Sequence, residues 1–348
     1  MFKSKSVRRR RPSSDTALLG LVALGGGLAL LRYAVSKAEF SFRDKVVLIT
    51  GGARGLGLVI ARQLAAEGAR LVLCSRNTEQ LARAKQELQQ SGAQVLTFRC
   101  DVTDQGQVES MVRQVVDVWR RVDVLINVAG VIQVGPMETM RLEDYQEAMD
   151  THFWGPLYTI NAVLPHMRTQ RGGRIVNIAS IGGRISVPHL LPYSASKFAL
   201  VGLSEGLRSE LAKDSIVVTT VSPGLMRTGS PRNAFFKGHN KAEHAWFAVS
   251  DSLPGASMSA ERAASQVIEA CRQGRSSITL SLPAKAAVAF HGLFPGITSD
   301  LMAVVNRFLP GEGGIGTARA RGHESESVVA PSPLTTLSNQ AAERNNQF

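Results

Sequence analysis

From residue 44 onward the chain alternates short unbroken apolar runs with stretches whose apolar residues recur every three to four positions. The runs are VVLIT (46–50), RLVLC (70–74), QVLTFRC (94–100), VDVLINV (122–128), RIVNIA (174–179), IVVTTV (216–221) and SITLSL (277–282). Runs this apolar on both faces predict strands covered on both sides, and the periodic stretches between most of them predict helices. Regular strand-helix alternation predicts an α/β fold built on a doubly wound, parallel, seven-stranded sheet. After the seventh run, residues 283–310 are apolar and broken by Pro295 and Gly296, which predicts terminal helices that complete the core, form a subunit contact or touch a membrane surface. Residues 311–348, rich in Gly, Ser, Pro, Asn and Gln and without periodicity, predict a disordered tail.

The opposite end has a different pattern. Residues 17–31, ALLGLVALGGGLALL, are uncharged and follow a basic tail over residues 1–16. At about 1.5 Å per residue this run spans a hydrocarbon core of roughly 30 Å only if its flanks reach outward. The reading adopted is a membrane anchor over residues 17–35; a cleaved signal or transit peptide and a buried helix are the alternatives. Charge does not orient it, with six Lys and Arg before the segment and four nearby after it.

The whole chain of 348 residues carries a formal charge of +12, but Lys3, Lys5 and Arg8 to Arg11 against Asp15 place much of it in the tail. The remainder is thinly spread and no nucleic-acid motif accompanies it, so nucleic acid is excluded as a partner. Cys74, Cys100 and Cys271 are odd in number and set in apolar runs, which argues against a disulfide framework or a metal site.

The first strand runs into TGGARGLG, residues 50–57, ahead of a helix. Gly51, Gly55 and Gly57 permit a tight turn and a close approach of backbone to a pyrophosphate at the helix N-terminus, with Leu56 between the last two. At the end of the second strand stand Cys74, Ser75, Arg76 and Asn77, with no carboxylate for a ribose 2′-hydroxyl. Arg76 and Arg54 are instead two guanidiniums suited to a 2′-phosphate, so NADP(H) is favoured over NAD(H). In SIGGRISVPHLLPYSASKFAL, Tyr193 and Lys197 are four residues apart and share one face of a predicted helix, and Ser180 ends the preceding strand. A nearby ammonium favours a phenolate, and Ser180 can hydrogen-bond a substrate oxygen beside it.

Taken together, TGGARGLG, CDVTD (100–104), NVAG (127–130), Ser180, YSASK (193–197) and SPGLMRT (222–228) resemble the short-chain dehydrogenase/reductase family over roughly residues 42–285. The resemblance implies a Rossmann fold, an NADP-binding catalytic domain over 42–282, and hydride transfer between a nicotinamide and a carbonyl or alcohol carbon. It implies Tyr193 as general acid/base, Lys197 lowering its pKa and holding the nicotinamide ribose, and Ser180 positioning the substrate. Asp101 and Val102 would meet the adenine, Asn127, Ala129 and Gly130 would line the cofactor groove, and Pro223, Gly224 and the residues through Thr228 would hold the carboxamide. Related proteins also imply a homodimer or homotetramer.

MDTHFWG, residues 149–155, departs from the family's V-N-x-x-G pattern by placing His152 where an asparagine usually holds the water of a proton relay. His152 is therefore read as a catalytic candidate that holds that water or relays protons itself. A slower relay is one alternative, and an NADP-binding sensor or scaffold without turnover is the other. The long segment after Thr228, with Phe235, Phe236, Trp246 and Phe247, predicts a lid over a lipophilic substrate, and His189, Leu190 and Leu191 are placed beside that substrate. The bland alternative is that the rings only pack the lid onto the body. Cofactor supply then favours a membrane-associated protein with its catalytic domain on the cytoplasmic face.

Overall fold

All seven apolar runs are strands in a computed structural model that describes residues 40–253 and 255–348. They are β1 (Val46–Thr50), β2 (Arg70–Ser75), β3 (Val95–Arg99), β4 (Val124–Asn127), β5 (Gly173–Ile178), β6 (Ile216–Ser222) and β7 (Ser277–Thr279). One parallel sheet contains them in the order β7-β6-β5-β4-β1-β2-β3. Every side chain of β1 is buried, as expected of a central strand covered on both faces. The register pairs Thr50 with Cys74 on one side and with Asn127 on the other, so the carboxyl ends of β1, β2 and β4 finish at one edge. Strand order reverses between β1 and β4, which opens a crevice at that edge.

The helices α1 (Gly55–Ala66), α2 (Thr78–Gln90), α3 (Gln105–Trp119), α4 (Leu142–Met149), α5 (Gly155–Thr169), α6 (Leu191–Glu210), α7 (Asn240–Ser252) and α8 (Ala260–Arg272) connect or cover the strands. Local chemistry sets several of their starts. Asn77 and Asp104 accept the backbone N–H of Gln80 and Gln107, capping α2 and α3, each cap contributing about 1 kcal/mol. Between α4 and α5, residues Asp150–Trp154 form a π-turn, with Pro156 in the first turn of α5. π-turns inside helices gather at functional sites, and this one holds His152.

Two terminal expectations fare differently. Helices α9 (Leu282–Leu293) and α10 (Pro295–Asn306) form as the apolar pattern suggests, but they do not complete the core. Phe290 and Phe294 pack on each other, while Leu293, Ile297, Leu301 and Phe308 stay exposed. The disordered tail is corrected. Ala320–Arg321 forms a strand antiparallel to Phe235–Phe236, and α11 (Thr336–Arg344) buries Ser338, Ala341 and Ala342. Composition concealed this because small alanines and polar amides, not large apolar side chains, make the contacts. Among the described residues no helix is long and apolar enough to cross a membrane, and the expected anchor over 17–35 lies outside them.

Candidate active site

At the carboxyl edge of the sheet lies a cleft of about 270 Å³. Its floor at β1 is the glycine turn. Gly51 has φ +66°, and a Cβ there would lie 2.9 Å from the Ala129 backbone; one at Gly57 would lie 2.4 Å from the Gly51 carbonyl. Only glycine allows the turn to fold this tightly and bring the α1 N-terminus to the cleft. Gly51, Gly55, Leu56 and Gly57 all line it. Ser75 and Arg76 follow from β2, Asp101 and Val102 from the end of β3, and Ala129 and Gly130 from the end of β4.

Tyr193 and Lys197 project from the first turns of α6 into the same cleft. The Lys197 ammonium lies 5.7 Å from the Tyr193 ring centroid and donates to the Ile178 carbonyl at 2.8 Å. Burial pushes the Lys197 pKa down to about 7. Burial also raises the Tyr193 phenol, opposed by a hydrogen bond with Ser180. Ser180 opens a short turn after β5, where its Oγ accepts the Gly182 N–H at 3.0 Å. A Cβ at Gly182 would meet the Tyr193 ring at 3.2 Å and Ser180 Oγ at 3.4 Å, so that glycine keeps the serine and tyrosine adjacent.

His152 is buried and borders the cleft beside Tyr193, its ring edge-on at 5.4 Å between centroids. Its Nε2 accepts the Val131 N–H at 3.1 Å. The Ser196 hydroxyl donates to the Tyr193 carbonyl at 2.9 Å, so the 2.8 Å contact between His152 Nδ1 and Ser196 Oγ has the imidazole as donor. The ring is therefore the neutral Nδ1–H tautomer with both nitrogens committed. Burial first, then the Lys197 charge, holds its pKa well below the usual range. Both ring nitrogens thus have protein partners, and His152, the expected relay candidate, ties the β4 loop to α6 beside Tyr193.

Asn127, Pro223 and Gly224 hold the site without lining it. Asn127 lies beneath the cleft floor, donating to Asn177 Oδ1 at 2.9 Å and accepting from the Thr159 hydroxyl at 2.8 Å. Pro223 accepts the Ile181 N–H at 2.7 Å, and Gly224 packs against Ser281 and Ala284 at the start of α9. Thr228 does line the cleft. In the segment after Thr228, Phe236 and Phe247 pack in a cluster with Val134 and Leu190, and Trp246 Nε1 donates to Glu243 at 2.6 Å. Of that segment's aromatics only Phe235 lines the cleft, so the others serve packing. His189 is also turned away, bound to the buried Glu243 at 2.7 Å.

Sequence reasoning missed the C-terminal segment. The Gly55 N–H donates to the Asn345 carbonyl at 2.8 Å, Asn346 Nδ2 donates to the Ala53 carbonyl at 2.8 Å, and Gln347 Nε2 donates to the Thr228 carbonyl at 3.1 Å. Residues 345–347 thus run from the glycine turn to Thr228. Arg321 joins the cleft wall as well. No periodicity or motif marks these positions. Arg54, Arg76 and Arg321 give the cleft the cationic lining a phosphorylated cofactor needs: burial first, then the charges of Arg321 and Arg76, hold the Arg54 guanidinium down to about 10. Such like-charge crowding in a cleft suits a bound anion.

The short chain dehydrogenase family profile matches residues 45–236. Dehydrogenase/reductase SDR family member 7B of Bos taurus is 34% identical over 293 residues, covering 82% of this chain and 88% of that one. A short-chain dehydrogenase from Streptomyces avermitilis superposes with a TM-score of 0.65 at 30% identity, covering 77% of this chain and 99% of that structure. L-sorbose reductase from Gluconobacter frateurii, complexed with NADPH and L-sorbose, superposes with a TM-score of 0.62 at 26% identity, covering 70% and 97%. With its seven-stranded parallel sheet, its glycine turn and this match, the chain belongs to the short-chain dehydrogenase/reductase family and is an NAD(P)-dependent oxidoreductase acting on CH–OH groups.

Proposed function

We propose that the protein is an NADP(H)-dependent reductase of carbonyl compounds in which Tyr193 is the general acid. The observation that carries this reading is the convergence of Tyr193 and Lys197 on one cleft that Arg54 and Arg76 also line, with Ser180 held beside the Tyr193 ring. When bound, the nicotinamide supplies the hydride. Ser180 holds the substrate oxygen beside the phenol, and the raised pKa keeps Tyr193 protonated at neutral pH, ready to donate to that oxygen. Lys197, held near neutrality, responds strongly to local charge: once its ammonium is populated it stabilises the tyrosinate left after proton transfer. Reprotonation of Tyr193 then proceeds without His152, whose nitrogens are committed.

Arg54 and Arg76 support the choice of NADP(H), since paired guanidiniums match a 2′-phosphate and the end of β2 carries no acid to hold a 2′-hydroxyl. A lipophilic ketone or alcohol remains the proposed substrate class, supported by the apolar segment at residues 17–35 and by the exposed apolar faces of α9 and α10. The same features support a membrane association with the catalytic domain on the cytoplasmic side, where NADP(H) is supplied. The test is oxidation of NADPH and of NADH by the full chain across a panel of apolar ketones and aldehydes. At least tenfold preference for NADPH in kcat/KM is expected; equal use of the two cofactors would contradict the assignment of Arg54 and Arg76.

A further inference from the structure

Arg321 lies far outside residues 45–236, on the short strand that pairs with Phe235–Phe236. Its guanidinium stands 5.0 Å over the Phe235 ring and lines the same cleft as Arg54 and Arg76. Two residues earlier, Arg319 also stacks on Phe235, at 4.4 Å, but it turns to Glu147 at 2.7 Å and does not reach the cleft. Arg76 has Asp101 at 3.6 Å. Among the described residues, neither Arg54 nor Arg321 has a carboxylate at ion-pair distance. The fold therefore brings two unneutralised guanidiniums to one wall of the cleft. That arrangement is unfavourable unless an anion joins them.

The backbone around Arg321 is fixed in advance. Its N–H donates to Glu324 Oε2 at 2.6 Å, the next residue's N–H donates to the Ala234 carbonyl at 3.0 Å, and Phe235 supports the guanidinium from below. A guanidinium held this way loses little freedom when it meets a phosphate, and a phosphate monoester offers three oxygens for more than one such partner. A helix N-terminus suits a diphosphate, but the Gly55 N–H at the start of α1 is taken by the Asn345 carbonyl; the guanidiniums of Arg54 and Arg321 are cationic partners that the cleft offers a monoester.

We propose that Arg321 is a cofactor-binding residue contributed by the C-terminal segment, closing with Arg54 on the 2′-phosphate of NADP(H). The proposal rests on the NADP(H) reading above. Its test is calorimetric binding of adenosine 2′,5′-bisphosphate and of 5′-AMP to the full chain, which needs neither turnover nor a known substrate. For Arg321→Gln, binding of the bisphosphate should weaken about tenfold or more while 5′-AMP binding is unchanged, as expected for loss of one charge-assisted contact. Arg321→Lys should recover part of the loss, and Arg319→Gln should match the wild type. Unchanged thermal midpoints would show that these variants fold. A wild type that binds the two nucleotides equally would overturn the NADP(H) reading and this proposal together. A wild type that discriminates, with an Arg321→Gln variant that discriminates equally well or loses both ligands alike, would overturn this proposal alone.

Discussion

His152 braces Tyr193: its Nε2 accepts the Val131 N–H, its Nδ1 meets Ser196 Oγ, and its ring lies edge-on to the phenol. Its spacing from Gly155 puts it at the family's relay position, and that placement was legible; what the ring nitrogens bind was not. Val131 and Ser196 are remote in sequence and reach His152 only because the π-turn, the β4 loop and α6 meet under Tyr193. Since the imidazole stays neutral, the pH dependence of kcat/KM between about pH 5.5 and 7 should be the same in His152→Asn as in the wild type. A titration lost in that variant would restore the relay. His152→Ala should cost about 2–4 kcal/mol, because the Val131 N–H is orphaned and a buried ring is removed. Urea unfolding would measure it.

Among the elements, the strands and the Tyr193–Lys197 helix were readable from apolar runs and i, i+4 spacing, because burial on both faces and helical geometry leave local traces. The segment after Thr228 was not, since its aromatics look alike in sequence and only the fold separates Phe235, in the cleft, from Phe236 and Phe247, in the core. Its helix α7 also buries Asp251, whose pKa burial pushes up to about 7 despite the Met226 backbone, the Ser230 hydroxyl and Arg227. In the unfolded chain this carboxyl titrates near about 4. The folded segment binds a proton that the unfolded one releases, so Asp251 contributes stability that is fully present below about pH 4 and lost as pH rises to about 7. Proteolytic cleavage within residues 229–259 should therefore quicken from pH 5 to pH 7.5 in the wild type and change far less in Asp251→Asn. Equal pH dependence in both proteins would assign the effect elsewhere.

Over the whole molecule, the C-terminal segment is the largest departure from what the sequence suggests. A tail without hydrophobic periodicity gains its place through side-chain amides and through Arg62 and Arg83, which donate to the Arg344 and Phe348 carbonyls at 2.8 and 2.6 Å. Such polar docking leaves no signal in a hydropathy pattern. Because the Gly55 N–H cannot serve the Asn345 carbonyl and a phosphate oxygen at once, ending the chain at Arg344 should tighten NADPH binding roughly three- to tenfold, the scale of one net hydrogen bond. Weaker binding would make residues 345–348 a wall of the site. Reduction of a carbonyl with Tyr193 as acid is measurable by single-turnover hydride transfer from NADPH to a substrate of the wild type, compared with Tyr193→Phe. The variant should transfer hydride at least about a hundredfold more slowly with unchanged NADPH affinity; a wild-type rate in Tyr193→Phe would remove the phenol from the chemistry.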